Sequence, residues 1–304
     1  MVYQIFPDRF NNGNPHGEIQ GRKKDSFIYA TKEDSPYYIK AGHGDIARWD
    51  FFGGNLKGIR QKIPYLKDLG VTAIYLNPIF QASSNHRYDT QDFMKIDPML
   101  GTEEDFKNLI KDLHKNRIAL ILDGVFNHVG ADSKYFLSAV TDKTGPYYSW
   151  FNFINYPTKY RSWWGVTMLP EVNKNNADYQ NFICGPDGVL AKWTRMHVDG
   201  WRLDVADELP MPFLRENRAL VDGKVGYVKI AYGINALVRY NQRELVIYCY
   251  NKTDQDMILD AGKFQTYCLP EKIGELVSDI LDQESVAQKA YLLKIFKLDR
   301  NEKE

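Results

Sequence analysis

The chain is short of cysteine, carries no excess charge and has no long apolar run, and each shortage removes a class of protein. Its 304 residues include three cysteines, Cys184, Cys249 and Cys268, an odd count with no Cys-x-x-Cys spacing. A disulfide framework is therefore not expected, and a reducing compartment fits. Lys and Arg number 39 and Asp and Glu 39, so the formal net charge is zero. Nucleic-acid binding ordinarily needs a basic excess gathered on one face, and an electrostatically held membrane partner needs the same. Neither partner is expected. No apolar run approaches the ~20 residues of a membrane span. Met1–Phe10 (MVYQIFPDRF) lacks the basic stretch leading into an apolar one that marks a secretory signal. The expectation is a cytoplasmic chain.

What the sequence has in quantity is aromatic rings: 14% of residues, with 20 Tyr and 6 Trp. Two readings stay open. Rings fill cores, and flat apolar faces with polar tips also stack on pyranose sugars. Hydrophobic residues at 44% and charged ones at 26% are ordinary for a soluble globular chain.

Along the chain, strand-length apolar runs alternate with helical periodicity. Val2–Phe6, Thr72–Leu76, Ile118–Leu122 and Gly200–Leu203 read as strands, the third apolar throughout, as strands covered on both faces are. Leu56, Ile59, Ile63, Leu66 and Leu69 recur at helical spacing up to Gly70. Thr102 is placed to cap a helix whose apolar face is Phe106, Leu109, Ile110 and Leu113. A further helix is expected over about Gly188–His197. Long excursions follow the first strand, as far as Gly54, and the third, at about 129–186. This rhythm predicts an α/β fold with parallel strands and chemistry at their C-terminal ends. From about Val225 short strand-like runs follow one another without helices: Val225–Ile230, Ala236–Tyr240, Glu244–Tyr250, Asp256–Leu259 and Tyr291–Leu298. They predict a small antiparallel β domain, with the boundary near 216–224. The organisation expected is 1–216 followed by 217–304.

Three polar clusters stand where strands end: Asn85-His86-Arg87-Tyr88-Asp89, Asp123 to Asn127-His128, and Arg202-Leu-Asp204. Period-2 geometry puts Arg202 and Asp204 on one side of a strand. A guanidinium there favours an ionised carboxylate, as a nucleophile must be. A purely architectural Arg–Asp pair is the alternative.

Taken together, VYQIFPDRF, FFGGNLKGI, LNPIFQASSNHRYDTQDFMKIDP, DGVFNH, SWWGVTMLPEVN and GWRLDVADE resemble the α-amylase family (glycoside hydrolase family thirteen). The likeness is to its neopullulanase, cyclomaltodextrinase and amylopullulanase members, across residues 1–209. It implies the first half of a TIM-type (β/α)8 barrel, about four strands, with a loop domain after strand three. It also implies retaining hydrolysis of α-1,4/α-1,6-linked glucans. Asp204 would be the nucleophile and Arg202 its orienting cation. His86 and His128 would bond sugar hydroxyls, Tyr88 would stack on a ring, and Asp123 would support the site. Trp164 would bind substrate; in the competing reading of a non-catalytic protein it would hold oligosaccharide together with Trp163, Tyr147 and Tyr148. Calcium is implied at Asn12, Asn14, Gly53 and Asn55, with Asn127 holding loop backbone or calcium. Asparagines where many relatives have Asp predict weak binding.

The family's general acid, a Glu after the fifth strand, has no counterpart after Asp204, and neither has its third carboxylate. Gly274-Glu275 is followed by Leu-Val-Ser and does not match. PFLRENRALVDGKVGYVKI joins the helix after strand four to the lead-in of the C-terminal β domain, as an internal deletion of the barrel's second half would. Asp207, Glu208 and Glu216 are the nearest surrogate acids, against a plainer reading as helix-start and solvated charges. Activity is expected to be impaired. A non-catalytic α-glucan-binding or interaction protein is the competing class, and pairing of two half-barrels into a homodimer the expected assembly.

Overall fold

Four short strands form one parallel sheet: β1 (Val2–Ile5), β2 (Ala73–Leu76), β3 (Ala119–Gly124) and β4 (Gly200–Leu203), paired in that order. The computed structural model describes residues 1–24, 26–42, 46–210 and 213, and further along the backbone of the strands between 224 and 299. Glu216, the junction at 217–223, Cys268 and Gly274–Glu275 lie outside the described residues. Among the described residues no helix is long and apolar enough to cross a membrane.

Strand parity decides what each face of the sheet meets. Ile5, Ile74, Leu76, Leu120 and Leu122 are at most 1% exposed; each contributes about 1.5–3 kcal/mol by leaving water. The opposite parity carries Val2 and Gln4, which are exposed, and Ala73, Tyr75, Ala119 and Ile121, which are half-buried. The expectation that the third strand is covered on both faces is therefore corrected. Its apolar run continues because its open side is the inner wall of a partial barrel, and Ala119 and Ile121 form part of that wall.

The apolar spacing of residues 56–69 does not give one helix. Leu56–Gln61 and Ile63–Asp68 are separated at Lys62, because Pro64 has no N–H and its ring clashes with the preceding turn. The helix Glu103–Lys115 follows its sequence signals closely. Thr102 accepts from the Asp105 N–H and the Asp105 carboxylate accepts from the Thr102 N–H, a reciprocal cap. Val189–Thr194 is the helix ahead of β4.

Aromatic packing accounts for many of the rings. Trp193 is fully buried, 5.1 Å from Phe80 and 5.6 Å from Phe106, and its indole N–H donates to the Phe93 carbonyl at 3.0 Å. The excursion after β3 has its own cluster, with Tyr135 stacked on Trp150 at 5.5 Å and edge-on to Phe182 at 5.4 Å. Isolated bridges between His128 and Glu171, Phe151 and Val172, and Ser162 and Pro170 close this loop region.

The chain divides into two units, Met1–Leu214 and Arg215–Glu304. In the second, Lys224–Ala231, Ile234–Tyr240, Glu244–Asn251 and Leu293–Asp299 form antiparallel neighbours, with Gln265–Tyr267 on the far edge. Met257–Ile258 pairs with Ala287–Gln288. The fold is thus α/β with a partial TIM-type barrel and antiparallel sheets.

Candidate active site

The centre of the site is a register effect. β3 and β4 run parallel with Arg202 opposite Asp123, and parity turns both towards the open side. The Arg202 Nη1 donates to Asp123 Oδ1 at 2.9 Å and Oδ2 at 3.1 Å, and to Asp204 Oδ1 at 2.7 Å. One guanidinium nitrogen therefore joins two carboxylates from neighbouring strand ends. The Asp204 N–H is anchored on the Gly124 carbonyl at 3.0 Å. Asp123 is buried, and burial pushes its carboxyl above the ordinary aspartate value, opposed by hydrogen bonds from Tyr75, Arg202 and Tyr88. Burial works against the Arg202 charge, yet the hydrogen bond and charge of Asp123 raise its pKa further.

Tyr75 is a site residue that motif reading missed. Its hydroxyl donates to Asp123 Oδ2, beside the Tyr88 hydroxyl on the same oxygen at 2.9 Å. The signal was present in the alternation of TAIYL, which places Tyr75 on the parity of Asp123 one strand over. Burial and the Asp123 charge push the Tyr88 phenol up to about 12. Asn77 donates to the Tyr88 oxygen at 3.2 Å and accepts from Gln4 at 2.8 Å, which carries the network to β1.

The segment after β2 works by alternation. Asn85, Arg87 and Asp89 are buried anchors, and His86 and Tyr88 between them are partly open. Asn85 donates to the Asp50 carbonyl at 2.9 Å and its carboxylate at 3.0 Å. Arg87, fully buried with φ of 63°, lies 3.4 Å from Asp97, which also pairs with Lys23 at 2.8 Å. Asp89 accepts from the Ser84 N–H at 3.0 Å. His86 Nδ1 accepts from the Tyr88 N–H at 3.1 Å, which leaves Nε2 as the protonated nitrogen of a neutral ring. Burial, with the charges of Arg87 and Lys23, pushes its pKa down to about 4.

His128 is only 1% exposed, because Trp163 stacks on it at 5.2 Å. Its Nε2 has no hydrogen-bond partner, and burial with the charge of Lys174 pushes the ring down to about 4. Trp164 stacks on Trp163 at 5.1 Å and is 83% exposed, held by a left-handed backbone at φ of 50°. The three rings form a column with its outer face in water. Tyr147 and Tyr148 are engaged elsewhere, Tyr147 edge-on to Tyr135 at 5.3 Å and Tyr148 stacked on Phe153 at 5.4 Å. Asp207 and Glu208 lie in the short turn Ala206–Glu208 that follows the left-handed Val205.

The loop expected to take calcium is closed by amides. Asn55 Oδ1 accepts from the N–H groups of Gly13 at 3.0 Å and Gly58 at 2.8 Å, and Asn55 donates to Asn12 Oδ1 at 2.9 Å. Asn12 and Asn14 donate to the carbonyls of Gly17 at 3.0 Å and Glu18 at 2.7 Å. Gly53 is required by its backbone: φ is 80°, and a Cβ would lie 2.4 Å from Ile19 Cδ1. Asn127 Oδ1 accepts from Lys174 Nζ at 2.6 Å, so a cation already occupies its oxygen. Calcium wants six to eight free oxygen ligands, several of them anionic. Here the side-chain oxygens of Asn12 and Asn55 are held by N–H donors, and among the described residues no cluster of three or more His, Cys, Asp or Glu is placed to hold a metal. These residues fit the ion poorly. Addition of 1 mM calcium or a chelator is expected to move the melting temperature by only about 1 °C; a rise of several degrees with calcium would contradict the fit.

Barrel enzymes carry their active sites at the C-terminal ends of their strands, which is where Asp123, Arg202 and Asp204 stand. The family model "Alpha amylase, catalytic domain" matches residues 4–253, and the chain belongs to the α-amylase family. It is 42% identical over 250 residues to the amylopullulanase of Thermoanaerobacterium saccharolyticum, covering 70% of this chain and 20% of that protein. It is 38% identical to the cyclomaltodextrinase of Thermoanaerobacter pseudethanolicus, covering 73% of this chain and 37% of the other. Among solved structures, the cyclic α-maltosyl-(1→6)-maltose hydrolase of Arthrobacter globiformis, in complex with maltose, superposes with a TM-score of 0.63 at 32% identity, covering 73% of this chain and 48% of that one. The chain thus spans well under two thirds of the length of each of these three relatives.

Proposed function

We propose that the open end of the sheet binds α-linked glucan oligosaccharides and is built for retaining glycoside hydrolysis with Asp204 as nucleophile. The observation that carries this reading is the single Arg202 nitrogen shared by Asp123 and Asp204. In such a reaction the Asp204 carboxylate forms a bond to the anomeric carbon as the glycosidic C–O bond breaks. The departing oxygen takes a proton from an acid, and water then releases the sugar. Arg202 orients the attacking oxygen, while Tyr75 and Tyr88 fix Asp123 as the immobile end of the bridge. His86 offers Nε2–H to a sugar hydroxyl. The covered His128 reaches substrate only if Trp163 turns aside, and the outer face of Trp164 is a platform for a further sugar.

The second carboxyl of a retaining pair belongs about 5–5.5 Å from the first. Asp123 is committed to three donors, and Asp207 and Glu208 sit on the turn beyond Asp204. We therefore expect turnover at least 10²–10⁴-fold below that of an enzyme with its acid in place. Within the described sheet β1 and β4 are edges, which two copies pairing as half-barrels would cover.

Sugar release from cyclodextrin and pullulan, with Asp204→Asn as control, tests both points when sedimentation is run on the same preparation. Slow release abolished by the substitution supports the nucleophile. Release at the rate of intact enzymes, confined to dimer fractions, would mean that a partner copy supplies the acid. Binding without release would favour a glucan-binding protein, the competing class. Neither binding nor release from a folded chain would sink the reading.

A further inference from the structure

The segment between β1 and the helix at Leu56–Gln61 builds a cavity of about 470 Å³ that uses none of the residues around Asp123 and Asp204. Its volume is in the range of small-molecule sites. Phe6 and Phe52 form part of its wall, and Tyr37 and Tyr38 stand beside them, 59% and 64% exposed. Among the described residues most other aromatic rings are buried or half-buried, so rings left this open stand out.

The polar lining is held in place before any ligand arrives. Arg9 lies over the Phe52 ring at 4.5 Å and donates to Asp50 Oδ2 at 2.9 Å. Lys32 Nζ donates to Asn11 Oδ1 at 3.1 Å, and Asp34 Oδ2 accepts from the Thr31 N–H at 2.7 Å. Tyr37 is fixed through its N–H, which donates to the Tyr29 hydroxyl at 2.7 Å, and its ring meets Phe27 edge-on at 6.2 Å. Ordering these groups in advance lowers the entropy that binding has to overcome.

The charges choose the ligand class. Arg9 and Lys32 are balanced by Asp34 and Asp50, so the cavity offers no net charge to an anion or a cation. Asp50 is already engaged by Arg9 and Asn85, so what the cavity presents is the donors Arg9 and Lys32 beside the acceptor Asp34, next to flat aromatic faces. A ligand matching that set is uncharged, carries hydroxyls that both donate and accept, and has apolar faces that stack on rings. We infer that this cavity is a second saccharide-binding site, taking a neutral pyranose oligosaccharide against Tyr37 and Tyr38, separate from the Asp204 cleft. The choice of an α-glucan as its ligand rests on the function proposed above.

Geometry ties the two places together without merging them. Asp50 lines the cavity with one side and with the other receives Asn85, the residue before His86. A glucan held here would lie beside the loop that carries His86 and Tyr88.

The test is a calorimetric titration of the full chain, as Asp204→Asn, with maltotetraose. Two classes of site are expected. The double variant Tyr37→Ala/Tyr38→Ala should weaken one class at least tenfold, and Tyr88→Ala should weaken the other. Tyr37 and Tyr38 are exposed, so their removal is compatible with folding, and an unchanged melting temperature confirms it. A titration that the double variant leaves unaltered while Tyr88→Ala abolishes it overturns the second site and leaves the cleft reading standing. Loss in the double variant with no effect of Tyr88→Ala supports the second site and counts against the cleft. No heat with maltotetraose in the parent overturns both.

Discussion

Replacing Arg202 with Leu is expected to destabilise the first unit by about 3 kcal/mol at pH 7, lowering its melting temperature by roughly 6–12 °C. The size follows from what is left behind. Asp123 has a fully buried side chain, and after the change it would keep only the hydroxyls of Tyr75 and Tyr88 as partners. Removing one member of a buried ion pair costs about 3–5 kcal/mol because the survivor stays out of water. The low end applies because the Arg202 side chain is itself 42% exposed. The deficit also depends on pH. Without its cation Asp123 would have a folded-state pKa raised further above its unfolded value. The loss is then small below about pH 4 and grows as pH rises. Arg202→Lys, which keeps the charge but not the forked geometry, is expected to fall in between. Thermal unfolding at pH 4 and pH 7 decides the matter, and a Leu variant as stable as its parent at pH 7 would show that the bridge carries no structural weight.

The second large effect is expected on acidification. His128 is held at about 4 by burial and by Lys174, against about 6.5 in an unfolded chain. The folded state therefore binds fewer protons between these values. The stability His128 contributes is complete above about pH 6.5 and is lost as pH falls through about 4. At 1.36 kcal/mol per pKa unit this amounts to about 3 kcal/mol. Burial of Asp8, Asp89 and Asp123 raises their pKa values and acts in the opposite sense over part of the window, so the informative quantity is a difference. His128→Gln should show a shallower decline from pH 6.5 to 4.5 than the parent, by about one proton. Trp163→Ala, which opens the ring to water, should raise the His128 pKa towards its ordinary value in an NMR titration. A His128 that already titrates near 6.5 in the parent would refute the covering role of Trp163.

The motifs were legible because they are local. DGVFNH and GWRLD each place a polar residue at the end of an apolar run, and period-2 alternation alone puts Arg202 and Asp204 on one side. The reciprocal cap at Thr102 could be read the same way, since it lies within four residues. The alternation Asn85, Arg87, Asp89 against His86, Tyr88 was not, because the partners that make the first three anchors, Asp50, Asp97 and Ser84, do not share one element. The break at Lys62 was written in Pro64 and outweighed by the apolar spacing around it. Trp163 over His128 joins residues thirty-five apart in a region without long elements, and no periodicity announces such a contact.

By itself the sequence determined the family and the parallel strands, and it predicted the side of the sheet on which the polar clusters would gather, because strand parity and motif order are properties of the chain. It also set the expectation that no Glu after Asp204 stands in the family's acid motif, since that is read from which residues are present. Only the tertiary structure decided that Arg202 spends one nitrogen on two carboxylates, that Tyr75 joins them, and that the asparagines of the first loop satisfy one another. Those outcomes depend on register between strands and on which donor reaches which oxygen first. Hydrogen bonds act over about 3 Å, and distances of that order between residues about 40 to 80 positions apart exist only once the chain has folded.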